Sequence, residues 1–395
     1  MAKSDNGKKA LALHKKLRGK IRIAPAMLVK NREELSLIYT PGVAAVSSYI
    51  ASPSTSSGQA KRARDYTIKG RMIAVISDGS AVLGLGDIGP YGALPVMEGK
   101  AALFKSFAGV DAFPITLDTS SPRLQSASAQ EQIDFIIETI CAIAPAFGGI
   151  NLEDFKAPHC FEIEERIKAW LSIPVMHDDQ HGTAIAVLAA LINAAKAVKK
   201  DLKKLKIVIS GAGAAGTAIA KLLCKADVRD IIVLDSRGII SHDRKEPHKK
   251  ELATLTNPRN VSGGLRDALL GADAFIGVSG PDVAQASDIK LMNTKAIVFA
   301  MANPVPEISA EEAKKGGALV IGTGRSDYPN QINNSLVFPG VFRGALDNNV
   351  GKITDEMKLQ AAKNLAALVK KPTPEKIIPG PLEKGVTGAV AKAIK

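Results

Sequence analysis

The chain has 395 residues, 46% of them hydrophobic and 23% charged, with a formal net charge of +13. That length suits two domains rather than one core, and the composition is that of a globular protein, not of a disordered one. An aromatic content of 4% argues against a stacking surface for single-stranded nucleic acid, while the positive balance alone would attract a nucleic acid, a dinucleotide or a dicarboxylate.

The basic stretches read as surface, so no nucleic-acid partner is expected. Lys196 to Lys206 interleaves lysines with apolar residues at helical spacing, and Arg244 to Lys250 is a polar run broken by Pro247; both patterns suit a solvated face. Cys141, Cys160 and Cys224 are widely separated and form no C-x-x-C pair, which fits a reducing, cytoplasmic setting. No apolar run follows Lys8 and Lys9 at signal-peptide length, and no stretch approaches the length of a membrane span, so no membrane is expected.

In chain order, Leu11 to Leu17 and Glu33 to Ile38 read as short helices, followed by a turn at Tyr39-Thr40-Pro41-Gly42-Val43. The Ser- and Gly-rich stretch between Ile50 and Lys61 has the composition of a surface loop. Met72 to Ser77 is a strand, followed by a glycine-dense loop from Leu83 to Gly89 and a helix through Phe107. Asp111 to Ile115, a helix from Gln130 to Ala144 and the segment Gly149 to Phe155 continue the alternation of a first α/β domain. Strand-like Ile173 to Met176 leads into His177-Asp178-Asp179-Gln180-His181-Gly182, read as a loop, and an apolar helix from Thr183 to Val198. Then Ile207 to Ser210, a helix from Thr217 to Cys224 and Ile231 to Asp235 make one βαβ unit. Ala274 to Val278, Ala296 to Ala300 and Ala318 to Ile321 supply later strands of a doubly wound parallel sheet, and Met357 to Val369 is helical.

Gly211-Ala212-Gly213-Ala214-Ala215-Gly216 matches G-x-G-x-x-G between a strand and a helix. Gly211, Gly213 and Gly216 would allow a tight turn, close approach of the backbone to a pyrophosphate, and close packing of helix on strand. Asp235 ends the next strand about 24 residues after Gly211, where a carboxylate meets ribose hydroxyls. This predicts a dinucleotide, with Asp235 favouring NAD; Ser236, Arg237, Lys249 and Lys250 leave room for the 2′-phosphate of NADP. A second G-x-G-x-x-G at Gly84 to Gly89 lacks such a carboxylate and is read as a decoy.

Glu153-Asp154 and Asp178-Asp179 follow strand ends. Three such carboxylates can hold a hard ion, Mg²⁺ or Mn²⁺; on spacing alone, helix-capping pairs fit equally well. His177 and His181 lie four apart but beside a glycine, which disfavours a zinc site, and Cys160 beside His159 reads as packing.

The strings YTPGVA (Tyr39 to Ala44), LGLGDIG (Leu83 to Gly89), EGKAALFK (Glu98 to Lys105), LEDF (Leu152 to Phe155), HDDQHGTA (His177 to Ala184), MANP (Met301 to Pro304) and NNSLVFPG (Asn333 to Gly340) resemble malic enzymes, in the family's order and closest to the short bacterial form. The resemblance implies an N-terminal catalytic α/β domain over 1–170 and an NAD(P)-binding Rossmann-type domain with C-terminal helices over 171–395. It implies oxidative decarboxylation of malate to pyruvate with NAD(P) and a divalent metal. Tyr39 matches the family's general acid, Lys100 its general base, and Glu153, Asp154 and Asp179 its metal ligands. Asn303 and Asn334 match substrate contacts, and Asp178 a position near the base. Lys100 would then need a lowered pKa, from the cation and partial burial. Larger malic enzymes carry a substrate-binding arginine just before LGLGD. Ala81 stands at that place here, so the substrate carboxylate must meet backbone amides of the glycine-rich turn or another cation. The resemblance also implies a homodimer, with Tyr39 and Lys100 meeting across the subunit boundary. The alternatives are a non-decarboxylating hydroxy-acid or amino-acid dehydrogenase, and a catalytically silent dinucleotide-binding protein.

Overall fold

The structure, a computed structural model, describes residues 2–52 and 56–395. Two parallel sheets are built as the apolar alternation predicts. The first contains β1 (Met72–Ser77), β2 (Asp111–Thr116), β3 (Gly149–Leu152) and β4 (Val175–His177) in the order β2-β1-β3-β4. In β1, Ile73 and Val75 join one hydrophobic layer and Ala74 and Ile76 the other, all four fully buried. A strand covered by helices on both faces requires this. Because β4 pairs with β3, the first sheet extends past the boundary expected at residue 170.

Among the described residues, four α-helices precede this sheet: α1 (Ala2–Leu17), α2 (Arg32–Ile38), α3 (Gly42–Ala51) and α4 (Ser56–Tyr66). The expected loop between Ile50 and Lys61 is therefore corrected from Ser56 onward; its residues 53–55 lie outside the described residues. Good helix formers from Gln59 to Arg64 outweigh the serines, and Arg62 ties α4 back by donating to the carbonyls of Ile50 (3.0 Å) and Ser52 (3.1 Å). Helices α2 and α3 bury none of their residues.

After β1 come α5 (Gly89–Ala108), α6 (Pro122–Gln125), α7 (Ala129–Ile143) and α8 (His159–Trp170). Ile133, Ile136 and Ile140 of α7 and Ile163 and Ile167 of α8 pack on one face of the sheet, and Met97 and Phe104 of α5 on the other. Helix α9 (Asp178–Val198) starts directly at the end of β4, so the segment read as a loop is its first turn. Asp178 and Asp179 suit that turn because carboxylates interact favourably with the helix N-terminus. By length and composition α9 could cross a membrane, unlike any stretch expected from the sequence, but 72% of its apolar window is buried inside the molecule. It forms the shared core: Ile185, Leu188 and Leu191 belong to one cluster with Ile73 and Val75 of the first sheet and Ile207 and Ile209 of the second.

The second sheet contains β5 (Lys206–Ser210), β6 (Asp230–Asp235), β7 (Gly238–Ile239), β8 (Ala274–Gly277), β9 (Ala296–Ala300) and β10 (Ala318–Thr323) in the order β10-β9-β8-β5-β6-β7. All pairings are parallel except that of β7 with β6. Helices α10 (Ala214–Lys225) and α11 (Pro247–Leu255) follow β5 and β7. The strand order switches from one side of the first strand to the other between β1 and β3 in one sheet and between β5 and β8 in the other. Such switch points open crevices at the carboxyl ends of strands, where ligands bind.

Candidate active site between the two sheets

A cavity of about 550 Å³ lies between the two switch points, lined by Lys100, Glu153, Asp179, Asn303 and Asn334 together with Ala215, Val278 and Ser279 from the second sheet's crevice. The loop after β3 supplies Glu153 and Asp154. The Glu153 N–H donates to Ile76 O of β1 (2.9 Å), and the Asp154 N–H to Asp179 Oδ2 (2.9 Å). Asp154 takes the left-handed conformation (φ 56°), which Asp tolerates better than most residues. One oxygen from each of Glu153, Asp154 and Asp179 lies within 4.8 Å of the others. This is an all-oxygen donor set matching a hard divalent ion. Burial, first, and then the charge of Asp179 push the Glu153 carboxyl well above its ordinary range, with Asp178 and Asp154 adding to it against the opposing Lys100; a cation there would relieve that repulsion.

Lys100 sits on α5, 8% exposed. Its Nζ is 2.9 Å from Glu153 Oε1, donates to Asp178 Oδ2, and lies 4.5 Å from the centre of the Phe338 ring. Burial works against the ammonium, but Asp178, Glu153 and Asp179 together outweigh it and raise the Lys100 pKa. The lowering expected from the sequence depended on an adjacent cation; with the carboxylates alone the direction is the opposite, and a cation held by Glu153, Asp154 and Asp179 would work against it. Asp178 Oδ1 and both ring nitrogens of His177 are buried without a hydrogen-bond partner, a concentration of unsatisfied groups that native cores otherwise avoid.

The two histidines do not converge. His181 contacts Glu164 (2.9 Å), whereas His177 precedes α9 and packs near Phe155. Cys160 is fully buried, and burial raises its thiol pKa.

At the second crevice, Gly211 (φ 115°) turns so tightly that a Cβ would come within 2.4 Å of Val278 O, and a Cβ on Gly216 within 1.7 Å of Gly211 O. Gly213 meets nothing within 4 Å, leaving bare backbone at the N-terminus of α10, where a phosphate can approach amide donors. Asp235 ends β6 as expected but is already engaged. It accepts from Lys249 Nζ (2.6 Å), the Arg237 N–H (2.9 Å) and Arg244 Nη2 (2.9 Å). Burial opposes its charge, yet these hydrogen bonds outweigh it and hold Asp235 at about 2. Arg244 and Lys249 therefore fold inward over Asp235, which corrects the reading of Arg244 to Lys250 as a solvated run.

The first glycine string serves the site differently. A Cβ on Gly84 would lie 2.2 Å from Asn303 O, so this loop packs directly on the one holding Asn303. Tyr39 is apart from these groups: it is 67% exposed at the end of α2 and does not line the cavity. Lys20 and Phe338 line the cavity and were not anticipated; Phe338 lies inside the NNSLVFPG string, whereas Lys20 carried no signal.

Residues 18–168 match the N-terminal domain of malic enzyme and residues 180–393 its NAD binding domain. The chain belongs to the malic enzyme family. It is 55% identical over 353 residues to the NAD-dependent malic enzyme of Geobacillus stearothermophilus, covering 89% of this chain and 70% of that relative. It is 49% identical over 390 residues to the bifunctional malic/malolactic enzyme of Bacillus subtilis, covering 98% and 91%. The crystal structure of NAD-dependent malic enzyme from Thermotoga maritima matches with a TM-score of 0.90 at 46% identity, covering 98% of each chain. At the place of the arginine of larger malic enzymes, the Ala81 N–H donates to Asp154 O (2.9 Å). It steadies the acidic cluster but offers no cation.

Proposed function

We propose that the chain oxidises L-malate to pyruvate and carbon dioxide with reduction of NAD, using Mg²⁺ or Mn²⁺ held by Glu153, Asp154 and Asp179. The observation that carries this reading is the meeting, in one cavity, of Glu153 and Asp179 from this acidic cluster, Lys100 and the crevice beside the Gly211 turn. When bound, the ion supplies Lewis acidity to the substrate oxygens. NAD, along the Gly211 to Gly216 turn, supplies the acceptor for the C2 hydride. Lys100, as the neutral amine that the charge of a bound cation would favour over the ammonium, would take the C2 hydroxyl proton as the hydride leaves, and Asp178, hydrogen-bonded to its Nζ, positions it. The C3–C4 bond then breaks with loss of carbon dioxide, and Tyr39 returns a proton to C3. Asn303 and Asn334 orient the substrate through their amides.

The assignment of NAD rests on Asp235. Its ionised carboxylate would repel a 2′-phosphate, and two of the nearby cations, Arg244 and Lys249, are committed to it while Arg237 is paired with Glu246. A homodimer is supported by the uncovered apolar side chains Leu35, Leu37, Ile38, Val43 and Val46 on α2 and α3. With Tyr39 exposed on that same surface, we assign the acid for each site to the second copy. Free cysteines at positions 141, 160 and 224 suit a reducing cytoplasm.

NADH formation from malate and NAD, followed with a chelator and after added Mn²⁺, tests the reading. It should vanish with the chelator and return with the ion; equal rates in both would overturn the metal assignment. Lactate in place of pyruvate, with no net NADH, would assign malolactic chemistry instead.

A further inference from the structure

Malate carries two carboxylates, yet Ala81 leaves no arginine for either, and Lys100 is committed to Glu153 and Asp178. Among the described residues, Lys20 is the other cation lining the cavity. The chain after α1 lays it along the helix that carries Lys100. Its backbone N–H donates to Glu98 Oε2 (3.1 Å) and its Nζ to Pro95 O (2.6 Å). A Cβ on Gly99, the residue before Lys100, would lie 3.5 Å from that Nζ, which places the ammonium against the helix face beside the base. Among the described residues no carboxylate forms an ion pair with Lys20. Burial lowers its pKa, and the charge of Glu98 only partly offsets this. An ammonium has three donors; one goes to Pro95 O, and the nearby Glu98 acts on the charge without forming an ion pair with it. A cation held in place, half-buried and in no direct ion pair among the described residues, at the edge of a cavity with an acidic floor is suited to an anionic group of the ligand.

We propose that Lys20 binds a carboxylate of the dicarboxylate substrate, taking the place that larger malic enzymes give to arginine. This rests on the malate reading above. A lysine binds as a point charge rather than as a fork, so Lys20 selects for charge at that end of the substrate more than for planar geometry.

The test compares the wild type with Lys20→Met and Lys20→Arg. A charge-assisted hydrogen bond is worth enough that Lys20→Met should raise the malate KM by about tenfold or more while kcat stays within about threefold. Lys20→Arg should fall between. Succinate and its monoamide, titrated calorimetrically against the Mn²⁺-loaded protein, give a readout independent of turnover. The wild type should bind the dicarboxylate about tenfold more tightly, and Lys20→Met should bind both alike. If Lys20 merely ties the chain after α1 to α5, Lys20→Met will raise the KM of malate and of NAD together and keep the preference for succinate. That result, or an unchanged malate KM, would overturn the proposal. A wild type that makes no NADH from malate would refute the malate reading, and the succinate comparison would still decide the role of Lys20.

Discussion

Lys100 Nζ lies 2.9 Å from Glu153 Oε1, so the candidate base and the candidate metal cluster share a carboxylate. Removing the ammonium would leave Glu153 and Asp178, 3% and 0% exposed, as buried charges without their partner. Lys100→Met should cut malate turnover by at least about 100-fold. Without metal it should also destabilise the protein by about 3 kcal/mol in urea unfolding, with part of that recovered on adding Mn²⁺. Unchanged turnover would remove Lys100 from the role of base.

Asp235 and its two cations set the cofactor prediction. Asp235→Asn releases Arg244 and Lys249 and removes a negative charge, so the ratio of kcat/KM for NADP over NAD should rise by about tenfold or more, roughly 1.4 kcal/mol. A ratio that falls would contradict the assigned role of Asp235.

The same residue gives a pH dependence. Its folded pKa is depressed to about 2, below the ordinary carboxylate value of about 3.9. The stabilisation it contributes is therefore present above that ordinary value and lost as pH falls through about 2. Urea midpoints of wild type and Asp235→Asn should differ by a constant amount above about pH 4 and converge below it. A gap that widens on acidification would show that Asp235 is not held ionised.

Gly84→Ala puts a methyl group where Asn303 O now sits, 2.2 Å away. The two loops must part, displacing Asn303. The malate KM should rise about fivefold or more, as loss of a positioned hydrogen bond implies, with the NAD KM nearly unchanged. Equal effects on both substrates would point to general loosening of the cavity.

If Tyr39 serves the site of the second copy, neither Tyr39→Phe nor Lys100→Ala alone can build a complete site, but a mixed dimer contains one. Mixing the two variants under conditions of subunit exchange should restore up to about half the activity per mixed dimer, since one of two sites is intact. Exchange shown by mass, without recovery, would place both residues in one chain.

Much of this fold was legible because buried parallel strands announce themselves: Ile73 to Ile76 and Ile207 to Ile209 are continuous apolar runs whose faces both meet helices. The two-residue β7 was not, since so short an edge strand has no periodicity. The start of α9 was hidden because His177 to Gly182 mixes polar residues with a glycine, though its carboxylates suit a helix N-terminus. At the site, the glycine turn was readable from local chemistry alone. Spacing left Glu153, Asp154 and Asp179 open between capping and metal binding; only the parallel pairing of β3 with β4, which sets Leu152 beside His177, brings their oxygens together. The capture of Asp235 by Arg244 and Lys249, the charge balance around Lys100, and the arrival of Lys20 on α5 all depend on contacts between segments that are separate in sequence.

Oxidation at C2 and loss of the C4 carboxylate should occur in one site. Malate labelled at C4, incubated with NAD, Mn²⁺ and the protein, should release labelled carbon dioxide in amounts equal to the NADH and pyruvate formed. NADH accumulating with oxaloacetate and no released label would contradict it.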